Sequence, residues 1–161
     1  MLKKYININL KNQKLVLIDN KKILKSYLIS SSIFGSGEKN NSFMTPRGQH
    51  IVRAKIGTNA PIGSVFVGRR LTGEIFNENL RLVNPRRDWI LTRIIWLSGT
   101  EVGKNRLGDV DTMQRYIYIH GSPDKDRMGE VGSRGCIRMN NIDILELFDL
   151  VNFGMTVIIE D

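Results

Sequence analysis

The sequence predicts a mostly β fold with one main α-helix. Three observations carry that expectation. Ile6, Ile8 and Leu10 alternate with Asn7 and Asn9, the period of a strand with one buried face. Residues 89–97 read WILTRIIWL, an apolar run that suits a central strand buried on both faces. A helical period emerges only after Asn141, where Ile142, Leu145, Phe148 and Val151 form an apolar stripe together with Ile144 and Leu147.

Residues 6–10 form the first strand. Asn12-Gln13 makes a tight turn between Lys11 and Lys14, residues 15–18 a second strand, Asp19-Asn20 a second turn and residues 23–29 a third strand. The chain thus opens as an antiparallel meander. Residues 30–41 are rich in Ser, Gly and Asn and read as loop. In Phe43-Met44-Thr45-Pro46-Arg47-Gly48, Pro46 fixes φ and Gly48 supplies freedom, making a turn into a strand over 50–56. Residues 57–61 break that strand. Residues 62–67 read as a short strand or a loop wall, and 68–87 as polar and irregular with one helical turn near 74–80. Residues 98–111 hold Gly99, Gly103 and Gly108 and predict a long surface loop, a kind that is often functional. Residues 115–119 form the next strand. Asn140 or Asn141 caps the helix, Gly154 ends it as a C-cap glycine, and residues 155–159 form a last strand.

At 161 residues, one domain over 1–161 is the simplest organisation. Hydrophobic residues at 41% and charged residues at 25% are ordinary for a soluble globular protein. No run of about 18 consecutive apolar residues occurs, so no helical membrane span is expected. A single cysteine cannot close an internal disulfide, which suits a reducing compartment or a thiol kept for chemistry. Met1-Leu2-Lys3-Lys4 starts like the basic region of a signal peptide. Residues 5–10 then read YININL, where a signal peptide needs an unbroken apolar run of about 7–15 residues. The expected location is the cytoplasm, or the periplasm if a leader has been removed. The net charge of +8, from 24 Lys+Arg against 16 Asp+Glu, suits an anionic partner. No basic helix or aromatic stacking motif accompanies it, so nucleic acid is not expected. Arg residues spread from Arg47 to Arg138 suggest planar recognition of carboxylates. One Cys and two dispersed His predict no metal site.

The candidate site lies in residues 117–140, IYIHGSPDKDRMGEVGSRGCIRMN. This stretch holds the sole cysteine, Cys136, sixteen positions after His120 across a Gly-rich segment. An apolar strand runs into the histidine, and Ser133-Arg134-Gly135 runs into the cysteine. Thiol chemistry needs this pairing: a base to take the proton, and backbone N–H groups beside the sulfur to hold an oxyanion. Most lone cysteines are buried and structural. Here a tight turn, a helix expected a few residues later and the cations Arg134 and Arg138 point instead to a thiol of lowered pKa. Arg138 reads either as a surface ion pair or as a fork on a substrate carboxylate. No carboxylate is obviously placed to orient His120. Asp124 and Asp126 are near in sequence, and a backbone carbonyl is the alternative. Neither His50 nor Ser30-Ser31-Ser32 shows a role.

At these residues the chain resembles the L,D-transpeptidase catalytic domain, of YkuD type. The family pattern is an IHG strand end, a Gly-rich loop, then S-H-G-C-I-R. Here those are Ile119-His120-Gly121 and Ser133-Arg134-Gly135-Cys136-Ile137-Arg138. The Thr45-Pro46-Arg47-Gly48 turn, the helix after the cysteine and the closing strand follow in family order, so the resemblance covers nearly the whole chain. It implies a β-sandwich or barrel-like fold, with Cys136 as nucleophile and His120 as base. The carbonyl of Gly121 would orient His120. Ser133, Arg134 and Gly135 would shape the site and its oxyanion donors, and Arg138 would bind the peptide stem. The implied partner is a peptidoglycan tetrapeptide or muropeptide, attacked without a cofactor at the carbonyl between diaminopimelate and terminal D-Ala. The chain departs from the pattern at Arg134, where the family usually has His. Together with the expected cytoplasmic location, this resembles a branch of cytoplasmic L,D-carboxypeptidases in cell-wall recycling. The alternatives are a periplasmic L,D-transpeptidase and a degenerate peptidoglycan-binding module.

Overall fold

The computed structural model describes residues 2–161. Ten strands form one curled sheet in the order β3-β2-β1-β10-β4-β7-β5-β6, with β8 and β9 branching from β7. The opening meander is β1 (Lys4–Asn9), β2 (Lys14–Asp19) and β3 (Lys22–Leu28). In β1 the alternation works as expected: Ile6 and Ile8 are fully buried, while Asn7 faces outward and donates to Glu160 Oε1 at 3.1 Å. β10 (Thr156–Glu160) pairs parallel with β1 and antiparallel with β4 (Gly48–Ile56).

β7 (Ile90–Gly99) is the central strand. On one edge it pairs with β4 over Ile94–Gly99 and with β5 (Ser64–Val67) at Ile90 and Leu91. On the other edge it pairs with β8 (Tyr118–Ser122). The register slips between Leu91 and Ile94, and Thr92 takes a left-handed φ of 73° there. Arg93, inside this apolar run, is buried. Its Nη1 donates to the carbonyls of Ala60 (2.8 Å) and Thr92 (2.6 Å), so the charge is buried with partners.

Helix α2 (Asn141–Leu150) closes the core over β7, β8 and β9 (Ile137–Asn140). Ile144, Leu147 and Phe148 join Ile95, Leu97, Ile119, Ile137 and Val157 in the main cluster. Each such side chain contributes about 1.5–3 kcal/mol through burial. No helix among the described residues is long and apolar enough to cross a membrane.

Several expected elements are corrected. Residues 70–75, read as irregular, are strand β6 (Arg70–Ile75), an exposed edge whose apolar positions Leu71 and Ile75 remain in solvent. Its signal was the turn: Gly68 (φ 55°) and Arg69 (φ 64°) are both left-handed, as a two-residue hairpin requires. The helical turn expected near 74–80 is α1 (Glu78–Val83), capped by Asn77, whose side chain accepts from Leu80 N–H at 2.8 Å. The strand expected over 115–119 starts later, because Tyr116 has a left-handed φ of 56°. No strand was expected after Cys136, yet β9 intervenes before α2. Asn140 occupies the N-cap without a side-chain cap bond. α2 ends at Leu150 and not at Gly154, because Val151 is already extended and its carbonyl accepts from Lys55 Nζ at 2.8 Å. Ile142, assigned to the buried stripe, is exposed.

Candidate active site

β8 and β9 run parallel and side by side, pairing Ile119 with Ile137 and His120 with Arg138. This register sets the histidine beside the segment that carries the cysteine. Cys136 sits in the bend just before β9, half-buried. His120 is completely buried. Together with Asp88, Ser133, Arg134 and Arg138 they line one cavity of about 30 Å³, room for a water molecule or two.

The histidine's tautomer is fixed by its neighbour. Nδ1 lies 2.6 Å from the carbonyl oxygen of Gly121, so Nδ1 carries the proton and donates. Nε2 is then left with its lone pair free, and it is buried without a protein partner. Burial holds the imidazole below its ordinary pKa; Asp88 and the Gly121 bond oppose that shift, while Arg138 adds to it. The ring is a neutral base. Asp126, one carboxylate weighed as its orienting partner, instead accepts from Ser122 Oγ (2.9 Å) and Arg81 Nη2 (2.8 Å). Asp124 accepts from Asn141 Nδ2 at 3.0 Å.

The thiol is also held at both ends. The Tyr118 N–H donates to Sγ and Sγ donates to the Tyr116 carbonyl, both at 3.3 Å. Burial pushes the thiol up to about 12, with Asp88 adding to the rise and the Tyr118 N–H, Arg138 and Arg115 opposing it. This corrects the expectation of a lowered thiol pKa. The helix begins at Asn141, where it was expected, but β9 lies between its first turn and the sulfur, so its dipole does not end at the thiol. The resting pair is neutral thiol and neutral imidazole. Behind it, Arg69 stacks over Trp96 (4.9 Å) and Tyr116 (4.5 Å) and donates to Tyr118 Oη at 2.9 Å.

The bend before Cys136 is tied down from three directions. Ser133 Oγ donates to the Cys136 carbonyl and accepts from the Gly135 N–H at 3.2 Å. Thr45 Oγ1 donates to the Gly135 carbonyl at 2.9 Å. The Ser30–Ser32 segment adds a bridge: Arg138 N–H donates to the Ser30 carbonyl, and the N–H groups of Gly132 and Ser133 to the Ser31 carbonyl, each at 2.9 Å. Among the described residues, the N–H groups of Arg134 and Cys136 meet no protein acceptor. They are the donors left for an oxyanion, whereas the Gly135 N–H is occupied. The Arg134 side chain is exposed. Arg138 is engaged at rest, Nη1 with the Gly132 carbonyl at 2.9 Å and Nη2 with Asp88 Oδ1 at 3.3 Å.

Gly135 has φ 126°, and a Cβ there would lie 3.1 Å from Ile117 Cδ1. Gly135→Ala is expected to lower stability by about 1–3 kcal/mol, the cost of forcing a side chain into that backbone region. Urea denaturation measures it, and a variant as stable as the parent would overturn the claim.

Sequence reasoning did not reach Asp88, Thr45 as a tether, the Ser30–Ser32 bridge, or the Tyr116 and Tyr118 main chain at the sulfur. A Ser-Ser-Ser run has no local pattern that reveals its partner, which lies about a hundred positions away. His50 sits in β4 with Nδ1 3.0 Å from the Gly48 carbonyl and Nε2 3.0 Å from Thr112 Oγ1, outside the cavity. No cluster of metal-ligating side chains is found among the described residues.

Comparison with known proteins agrees with this picture. The model of the L,D-transpeptidase catalytic domain family matches residues 3–159. A Bacillus licheniformis protein bearing the name L,D-transpeptidase YkuD is 43% identical over 44 residues, 27% of each chain. An L,D-transpeptidase from Mycobacterium smegmatis superposes with a TM-score of 0.59 at 18% identity, over 99% of this chain and 59% of that one. The C442S mutant of Enterococcus faecium L,D-transpeptidase superposes with a TM-score of 0.59 at 17% identity, over 99% of this chain and 50% of that one. The chain thus spans 59% and 50% of these two solved chains, and the likeness at this identity is one of fold.

Proposed function

The chain belongs to the L,D-transpeptidase catalytic domain family, and from that premise we propose that it performs cysteine-dependent acyl transfer on peptidoglycan stem peptides, as an L,D-carboxypeptidase releasing terminal D-Ala from tetrapeptides. The observation that carries the chemistry is the free, buried Nε2 of His120 in the same cavity as the Cys136 thiol. Nε2 takes the thiol proton as sulfur attacks the carbonyl between diaminopimelate and D-Ala. The Arg134 and Cys136 N–H groups receive the oxyanion. The imidazolium returns its proton to the leaving amine, D-Ala departs, and a thioester remains. Water attacks next; His120 takes its proton and the thiol is restored.

Hydrolysis as the second step is supported by the resemblance of the Ser133–Arg138 motif, with Arg134 in place of the usual His, to cytoplasmic carboxypeptidases of cell-wall recycling. The second reading, transfer to an amine of another stem, is supported by the names of the similar solved structures. The protein is incubated with tetrapeptide, with and without an amine acceptor, and free D-Ala and any cross-linked dimer are weighed by mass spectrometry. Release without dimer supports hydrolysis. Dimer formation overturns it, and binding without release leaves only a peptidoglycan-binding module. Cytoplasmic location belongs to the same proposal, and recovery of the native protein outside the membrane would remove it.

Arg138 is proposed to hold a stem carboxylate. Arg138→Ala is then expected to lose roughly 1.5–3 kcal/mol of transition-state binding, the scale of a charged hydrogen bond. An unchanged kcat/KM sinks this role.

A further inference from the structure

We propose that Asp88 and Arg138 form a split clamp for a substrate group carrying an ammonium and a carboxylate on one carbon, Asp88 taking the ammonium and Arg138 the carboxylate. This rests on the peptide-stem reading of the site and adds a specificity residue to it. The two side chains reach the cavity from distant parts of the chain. Asp88 lies between α1 and β7, and Arg138 lies in β9. Both line the cavity that holds Cys136 and His120. They approach to 3.3 Å, with side-chain exposures of 59% for Asp88 and 20% for Arg138.

A cavity of about 30 Å³ admits water and not a peptide, so substrate entry requires part of its rim to part. His120 is fully buried, and Ser133 is locked to the Cys136 carbonyl and the Gly135 N–H. The Asp88–Arg138 contact is instead long and open to solvent on the Asp88 side, and a weakly held pair of that kind costs little to separate. Its opening leaves a carboxylate and a guanidinium facing the same space. An anion alone would leave Asp88 repelling it, and a cation alone would leave Arg138 doing so. An amino-acid head group satisfies both. Diaminopimelate presents such a head group one side chain away from the attacked carbonyl, whereas lysine presents only the ammonium.

The test is calorimetric binding to Cys136→Ala of four tetrapeptides that differ at the third residue: diaminopimelate, the same with its free amine acetylated, the same with its free carboxylate amidated, and lysine. Acetylation is expected to weaken binding roughly tenfold or more. Adding Asp88→Asn brings the ratio of free to acetylated peptide toward one and leaves the penalty for amidation in place. Equal weakening of all four peptides by Asp88→Asn overturns the clamp, because Asp88 then only braces Arg138. Equal binding of free and acetylated peptide overturns it as well, as does binding of none. D-Ala release by the unmodified chain is measured in parallel. Preference without release removes the carboxypeptidase reading and keeps the clamp; release without preference does the reverse.

Discussion

His120→Asn is expected to lower kcat/KM for D-Ala release by about 10²–10⁴-fold, the usual span for a positioned base. Asn reaches as far as Nδ1 does, so the bond to the Gly121 carbonyl can persist. What disappears is Nε2, a buried and unpartnered lone pair on a residue that lines the cysteine's cavity. The protonation states sharpen the expectation. Burial holds His120 below its ordinary 6.5, so the acid limb of kcat/KM should fall below that pH. The thiol, pushed up to about 12, stays protonated in the neutral range. Alkylation of Cys136 by iodoacetamide at pH 7–8 should therefore be slower than for a free thiol of pKa about 8.5. An acid limb centred above 6.5, or alkylation faster than that of free cysteine, would indicate a preformed thiolate–imidazolium pair and sink the neutral-pair mechanism.

The second expected result is a loss of stability in mild acid that traces to His50. This imidazole is buried, bonded through both nitrogens, and depressed to about 4 by desolvation. The unfolded chain binds a proton there below about 6.5, the folded chain only near 4. Between those values the unfolded state holds more protons, so stability falls as the pH falls and is level above the window. Fully developed, the effect is about 3 kcal/mol. His120 is lowered in the same direction and adds to the slope. Urea denaturation at pH 7, 5 and 4 should show the decline, and His50→Gln should flatten it while costing stability at pH 7. A slope that is the same in the variant would remove His50 as its source.

What was legible in the sequence follows from how local each signal is. β1, β2, β3, β4, β7 and α2 have periodic or apolar patterns, and they lie within a few residues of their expected places. β6 and β9 escaped for opposite reasons. β6 is an exposed edge with no face to bury, and β9 is four residues long. Ser133, Arg134 and Arg138 line the cavity with Cys136, because residues 133–138 form a single bend and strand, whereas Gly121 and Gly135 act through their main chain and do not line it. Asp88 and Ser30 reach that place through the fold alone, and no spacing announces them. The expected thiol acidity reversed although the helix starts where it was expected, because burial is the dominant influence on the sulfur and β9 separates it from the helix terminus.

The position of β10 between β1 and β4 has a consequence for how the chain is made. The β1–β2–β3 meander can form while synthesis proceeds, and so can the pairs around β7. Apart from the isolated bridges of Ser30 to Arg138 and Ser32 to Ser133, these two halves are joined as a ladder only when residues 156–160 exist to pair with both β1 and β4. Joining them closes a loop of about 150 residues between β1 and β10, a non-local step that slows assembly. Until then, the apolar strands β1 and β4 each present an unpaired edge, the kind that invites another chain. Removal of the segment that forms β10 should therefore produce aggregation during expression, even though that segment contributes no residue to the cavity around Cys136.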